Sequence, residues 1–485
     1  MASAAHPHAS TVAFLSRFPV SMPKRPRSPK RCSFTVPSCS STPPRNKPAI
    51  AASAAAAAAA ALAASLILLP PAQSLAKGLL STNTIFRRYL ITDSSAILRY
   101  SLPIPSERYA KDPIPIRRIQ EQLERLGVDL RSRGAAALIS GRRDLQKLSD
   151  LLSTSRLDVL LDVPAMKRQV AAQSLSALEK CLAAVESEMG VASTPVTSSL
   201  FPPQLSAMQQ TLSDAFERRN SLSKKTNFDA VLVEQLRQEA LRHVYDIEQL
   251  AVEGVGLPFK IPRRYNNFPR LVGRASVEIK LRKHGDGQWK DADSVQDVGR
   301  DVSLTAILDG FSAPITCANF IDIAQSGYYD NTRILAAQRE FFVQLGERED
   351  DNMDGFKDAK SGGRRQIPLE ILVDGEPSPT YGATLDEAGI GDLQPVLPVS
   401  AFGAMAMVHS VENANDASSQ FYMFMLDPNS YQARSFGGSI LTGSLSTFGY
   451  IERGKEFLKQ IEVGDEVVSV RMTSGEENFV ESGDK

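Results

Sequence analysis

The chain has 485 residues, 42% of them hydrophobic, enough for two or three folded units with real cores. Lysine plus arginine and aspartate plus glutamate both number 55, so the formal charge is zero and a nucleic-acid-binding protein is not indicated. The balance is uneven along the chain: the first acidic residue is Asp93, and eight basic residues precede position 77.

Residues 1–48, rich in Ser, Pro and Arg and free of acids, have the composition of an organelle transit peptide. Residues 49–76 follow with Arg45 and Lys47 in front, an alanine-dominated apolar run from Ala49 to Leu69, and the small-x-small exit Ser74, Leu75, Ala76. That order is a signal segment for a second translocation, and behind a transit peptide it points to the thylakoid lumen of a chloroplast. No adjacent arginine pair precedes the run, which favours a Sec-type route. A retained membrane anchor is the alternative, since the run is long enough to span a bilayer; the cleavable exit favours a mature form without a stable membrane span. Removing 1–76 leaves 47 basic and 55 acidic residues, a net charge of −8.

Residues 77–106 read as an N-terminal extended segment containing AILRYSLPIP, Ala96 to Pro105. Residues 107–255 read as an antiparallel helical bundle. A helix opening at Pro164 carries Met166, Val170, Leu175, Leu178, Leu182, Val185 and Met189 on one face. A shorter one is marked by Leu205, Met208, Leu212 and Phe216, and a longer one by Val233, Leu236, Ala240, Val244, Ile247 and Leu250. These stripes are either the bundle's own core or a coiled-coil partner surface. A Pro-rich hinge over 256–270 leads into a C-terminal β domain over 271–485, whose first strand alternates through Val277, Ile279 and Leu281. Within it, Val302 to Asp309 predicts a strand, Ala313 to Ala324 a helix, Glu452 to Ile461 a second helix and Val467 to Met472 the last strand.

Of four cysteines, only Cys181 and Cys317 lie beyond the targeting segment, in different predicted domains, and they read as buried free thiols. No metal-ligand spacing stands out and no cofactor is expected. Asp350, Asn352, Asp354 and Gly355 fit the first half of a calcium loop, but position twelve is Ser361, so an acidic surface loop is the better reading.

The stretch Pro398 to Phe424 carries the chemistry. Apolar runs from Ala401 to Val408 and Phe421 to Leu426 flank a polar rim that re-enters the sheet at Ser419, Gln420, Phe421 and Tyr422. An amide beside aromatic rings suits an extended peptide, the amide holding backbone and the rings an apolar side chain such as proline. With Tyr329, Asp330, Phe341, Gln344, Gly346, Met407, Leu441, Gly443, Phe448 and Gly449 in order, the domain resembles the cyclophilins, and with the hinge and AILRYSLPIP the whole chain resembles the large thylakoid-lumen cyclophilins. The resemblance implies a multidomain fold, a helical bundle followed by a closed antiparallel eight-stranded β-barrel with capping helices. It implies a peptide-binding groove formed by Phe341, Phe342, Gln344, Val408, His409, Gln420, Tyr422 and Leu441. It also implies partners among proline-containing segments of thylakoid membrane or lumen proteins of photosystem II.

Rotation about an X-Pro bond meets a resonance barrier of about 18–20 kcal/mol. Cyclophilins lower it with an apolar pocket and an arginine that donates to the pyramidalised nitrogen. Counting from Phe341, that arginine's position is Ala336 and the preceding histidine's is Leu335, while the family's asparagine after Met-Ala becomes His409; the tryptophan and histidine of the last loop become Ile440 and Leu445. No catalytic residue is assigned. A proline-peptide binder with weak or absent isomerase activity is expected, acting as scaffold or chaperone in photosystem II assembly or maintenance; an active isomerase is the alternative.

Overall fold

The structure, a computed structural model, describes residues 93–104, 114–131, 135–191, 229–291, 294, 296–348, 355–358, 362–410, 412–426 and 441–482. The targeting segments, the helix of Leu205 to Phe216, most of the acidic loop and Ile440 lie outside them.

The helical region opens earlier than expected. Helix α1 spans Ser94–Tyr100 where an extended segment was predicted, because the Asp93 carboxylate accepts from the Ser95 and Ala96 backbone N–H groups at 3.0 and 3.3 Å. Pro103 and Pro105 lie beyond the last turn of this helix. Helices α2 (Pro115–Arg131), α3 (Ala135–Leu161), α4 (Arg168–Met189) and α5 (Ala230–Val252) follow. Helix α2 packs on α3, and α4 on α5.

Their stripes form the bundle's own core, built on Ile119, Leu123 and Leu126 of α2 and Leu175, Leu178 and Leu182 of α4. The start of α4 corrects the sequence reading. Pro164 leads a 3-10 turn, Ala165–Lys167, and the α-helix begins at Arg168. Met166 is 95% exposed and Val170 48%, so the buried stripe runs instead from Ala171 through Leu175 and Leu178. A five-residue step from Val170 to Leu175 overshoots one face, whereas four from Ala171 keeps it.

The bundle core also buries charge. Arg99 of α1 pairs with Glu124 of α2, whose other oxygen lies 3.5 Å from Arg237 of α5. Gly127 makes room for that guanidinium: a Cβ there would sit 2.6 Å from Arg237 Cζ. Glycine inside a helix costs about 0.5–1 kcal/mol relative to alanine, and here the space is occupied by a fully buried cation.

The hinge is strapped to the β domain, with Ile261, Tyr265 and Phe268 packed against its core. The main sheet is built from β1 (Arg274–Arg282), β2 (Asp301–Asp309), β3 (Thr332–Arg333), β4 (Ala336–Gln338), β5 (Phe342–Leu345), β6 (Ala404–Met407), β7 (Phe421–Phe424), β8 (Thr447–Arg453) and β9 (Glu466–Ser474). Their order is β3-β9-β1-β2-β8-β6-β7-β5-β4. This corrects the closed eight-stranded barrel: the sheet has nine strands, and no ladder joins β3 to β4. The two edges are successive pieces of one run, and among the described residues each pairs with a different strand, β3 with β9 and β4 with β5. Ile334 and Leu335 cross between them, their N–H groups bonding Asp465 and Gln344 respectively.

Helix α6 (Pro314–Gln325) packs inside the curled sheet through Phe320, which meets Phe421 edge-on at 5.1 Å. The second helix is shorter than predicted and not α-helical. After Gly454, Lys455–Gln460 forms a 3-10 helix, and Glu452 and Arg453 belong to β8.

Arg274 joins the two regions. Its guanidinium donates to Asp309 at the end of β2 (2.8 Å), to Tyr245 Oη of α5 (3.0 Å), and to Ser101 Oγ (2.8 Å) and the Leu98 carbonyl at α1. Burial opposes its charge, but Tyr245 and Asp309 outweigh that and raise its pKa above the usual arginine value. Replacing Arg274 with Ala leaves Asp309 buried and unpaired, so equilibrium denaturation of the Arg274→Ala variant should show a loss of about 3–5 kcal/mol.

Glu370 makes a pH prediction. Its carboxylate accepts from the Thr316 N–H and Oγ1, both at 2.9 Å, at the start of α6. Burial nevertheless pushes its pKa up to about 7 from 4.5. The folded protein therefore holds this proton more tightly than the unfolded chain does. The stability contribution is fully present below the unfolded value and is lost as pH rises through about 7. Glu370→Gln should flatten the wild-type decline across that window, a difference on the order of 3 kcal/mol read from denaturation curves at several pH values.

Candidate functional site

The site is a row across four strands. Ala336 of β4 lies opposite Gln344 of β5, which lies opposite Tyr422 of β7, which lies opposite Ala406 of β6. Directly opposed residues share a face, so these four point away from the core. The alternate residues Val343, Leu345, Phe421, Met423, Met405 and Met407 all enter the core. Period-two alternation thus fixes which side chains can meet a peptide.

The rings and amides predicted for the groove come together. Phe342 meets Tyr422 at 5.0 Å and Phe341 at 5.4 Å. Gln344 Nε2 donates to Gln420 Oε1 at 2.7 Å, and Gln420 Nε2 donates to Glu347 Oε2 at 2.9 Å. Val408 N–H donates to the Gln420 carbonyl at 2.9 Å, carrying the β6–β7 pairing one step further. His409 is pinned at the rim, with its ring nitrogens 2.7 Å from the Ser410 and Ser444 carbonyls, and so braces two loops. Leu441 is buried at the head of the loop that carries Ser444.

The supports lie behind the row. Asn319 Nδ2 of α6 donates to the Ser418 carbonyl and Tyr329 Oη to that of Ser419, fixing the entry to β7. Gly346 has φ +101°, and a Cβ there would meet the Ser419 carbonyl at 2.5 Å, so only glycine lets β5 turn directly beneath that entry.

Residues 296–477 match the model of the cyclophilin-type peptidyl-prolyl cis-trans isomerases, and residues 93–192 that of the PsbQ-like domain of CYP38-like peptidyl-prolyl cis-trans isomerases. A Synechocystis protein named as a thylakoid lumen peptidyl-prolyl cis-trans isomerase is 32% identical over 412 residues, covering 85% of this chain and 89% of its own. The chain belongs to the thylakoid-lumen cyclophilins. Chloroplastic CYP38 of Arabidopsis thaliana is 31% identical over 80% of this chain and 75% of its own, and chloroplastic CYP37 of the same plant 34% identical over 50% and 48%. The compartment of this cyclophilin is the chloroplast thylakoid lumen.

Two residues of the site went unrecognised in the sequence. Phe424, 5.6 Å from Tyr422 and 6.4 Å from Phe342, completes the aromatic cluster. Its signal was its place two residues after Tyr422, hence on the same face. Glu347 anchors the amide chain and also accepts from Tyr328 Oη at 2.9 Å; nothing local in the sequence marks a buried carboxylate.

In this cyclophilin the catalytic arginine's position holds a half-buried methyl group, Ala336. Neighbouring arginines do not replace it. Arg333 is exposed on β3, in register with Glu466 of β9, and Arg339 is exposed in the turn after β4. The bundle docks on the β1, β2 and β8 side, through Arg274, Asp309 and Glu452. The row occupies the β4-β5-β7-β6 side of the sheet.

Gln420→Leu takes a partner from both Gln344 and Glu347 while nearly keeping volume. An unsatisfied buried polar group costs about 1–3 kcal/mol, so this variant's denaturation midpoint should fall accordingly, with Gln238→Leu, on an exposed helix face, as the near-neutral control.

Proposed function

We propose that this thylakoid-lumen cyclophilin binds proline-containing segments in the Phe342–Gln344–Tyr422 row and acts as a scaffold or chaperone, with weak or absent isomerase activity. The observation that carries this reading is Ala336. It stands opposite Gln344 on the peptide-facing side, the place from which a guanidinium would reach the turning X-Pro nitrogen. What surrounds it still suits binding: an aromatic wall for the proline ring and two amides for backbone. Holding a peptide in both its states equally lowers no barrier, because only interactions stronger in the twisted state accelerate rotation.

The partners we propose are proline-containing segments of thylakoid membrane or lumen proteins of photosystem II, engaged during assembly or maintenance. This follows from the compartment and from the resemblance to the large lumenal cyclophilins. It is consistent with a PsbQ-like helical domain and a peptide groove in one chain.

Exchange spectroscopy on an X-Pro peptide with catalytic amounts of the full chain tests the reading. The native protein is expected to shift peptide resonances with little acceleration of cis-trans exchange, and Ala336→Arg to raise the rate by up to about 10²–10³-fold, the worth of one preorganised donor. A native rate equal to that of the variant would establish the active isomerase instead.

A further inference from the structure

We propose that Cys181, Glu239 and His243 form a zinc(II) site between α4 and α5. Glu239 and His243 are four residues apart on α5 and so share a face. Cys181 lies on α4, which packs on α5. One ligand atom from each of the three residues lies within 4.8 Å of the others.

The donor set selects the ion. Thiolate, imidazole and carboxylate are all zinc ligands, whereas calcium and magnesium take oxygen alone. Three protein ligands leave a fourth position for water, the arrangement of an open rather than a closed zinc site. Access is built in as well: Glu239 is exposed, His243 half-buried and Cys181 8% exposed, so the thiol is reached from solvent past the other two.

Cys181 is the most exposed of its stripe in the bundle core, at 8% where Leu175, Leu178 and Val185 are fully buried. Asp246, one turn beyond His243, places Oδ2 3.8 Å from His243 Nδ1. An ion taken by Nε2 would leave Nδ1 facing that carboxylate, a common outer partner of metal-bound histidine. This proposal departs from the expectation of no metal-ligand pattern. The Glu-x-x-x-His spacing on α5 is visible in the sequence, but its third ligand comes from another helix.

The test is a zinc competition titration of the full, untagged, chelator-stripped chain against a chromophoric chelator, with cobalt(II) as an optical probe. One equivalent per chain and a near-ultraviolet thiolate-to-cobalt band are expected. Cys181→Ser should lose the band, and His243→Asn and Glu239→Gln should weaken zinc binding at least severalfold. Cys317→Ser, buried in the β domain, should leave both readouts unchanged. If Cys181→Ser does not fold, the two α5 variants decide, since neither side chain is core. Substoichiometric binding in the native chain, or native affinity in His243→Asn or Cys181→Ser, overturns the proposal.

Discussion

The architecture turns on the buried pair Arg274–Asp309. Removing two charges from water costs several kcal/mol per ion, and a single partner rarely repays it. Arg274 has partners from β2, α1 and α5 at once, and its ring contact with Tyr245 adds a fourth kind of attraction. No single element could satisfy that guanidinium. The start of β1 is thereby bound to one placement of the helices, and the prolines of the linking hinge act within a packed junction.

That junction places the docking contacts of the described helices away from the row. Strand order sets β1, β2 and β8 beside one another and puts β6, β7, β5 and β4 beyond them. The helices take up the first set through Arg274, Asp309 and Glu452. The Ala336–Gln344–Tyr422–Ala406 row belongs to the second. Phe320 of α6 fills the space between, touching Phe421 behind the row and Phe448 on β8. Both faces therefore share a rigid core without sharing a surface.

Much of this was legible in the sequence, wherever one periodicity ran uninterrupted. The alternation of Val277, Ile279 and Leu281 gave β1, and the paired apolar runs gave β6 and β7. The candidate groove residues came from the resemblance to cyclophilins, and the structure brings Phe341, Phe342, Gln344, Gln420 and Tyr422 together. The failures arose where tertiary contacts overrode local pattern. Helix α1 was missed because its cap, Asp93, lies outside the Pro-containing motif that drew attention. The start of α4 was misplaced by counting Met166 and Val170 as core. Barrel closure was over-read, since two- and three-residue edge strands leave no sequence signal of what they pair with. Buried charges such as Glu124 and Glu347 were invisible for a related reason: Glu124 pairs with Arg99 and Arg237, and Glu347 with Gln420, all distant in sequence.

The amides of the row deserve a different inference from the rings. Gln344 and Gln420 are both bonded within the fold, through each other and then to Glu347, so they would be needed for stability even in a protein that binds nothing. Their presence is therefore weak evidence for catalysis. An arginine at position 336 would be different: it would stand on an edge strand, opposite Gln344, whose amide is already bonded to Gln420. The amides are thus accounted for by the fold itself, and in the proposed reading it is the methyl group of Ala336, not the amides, that bears on catalysis.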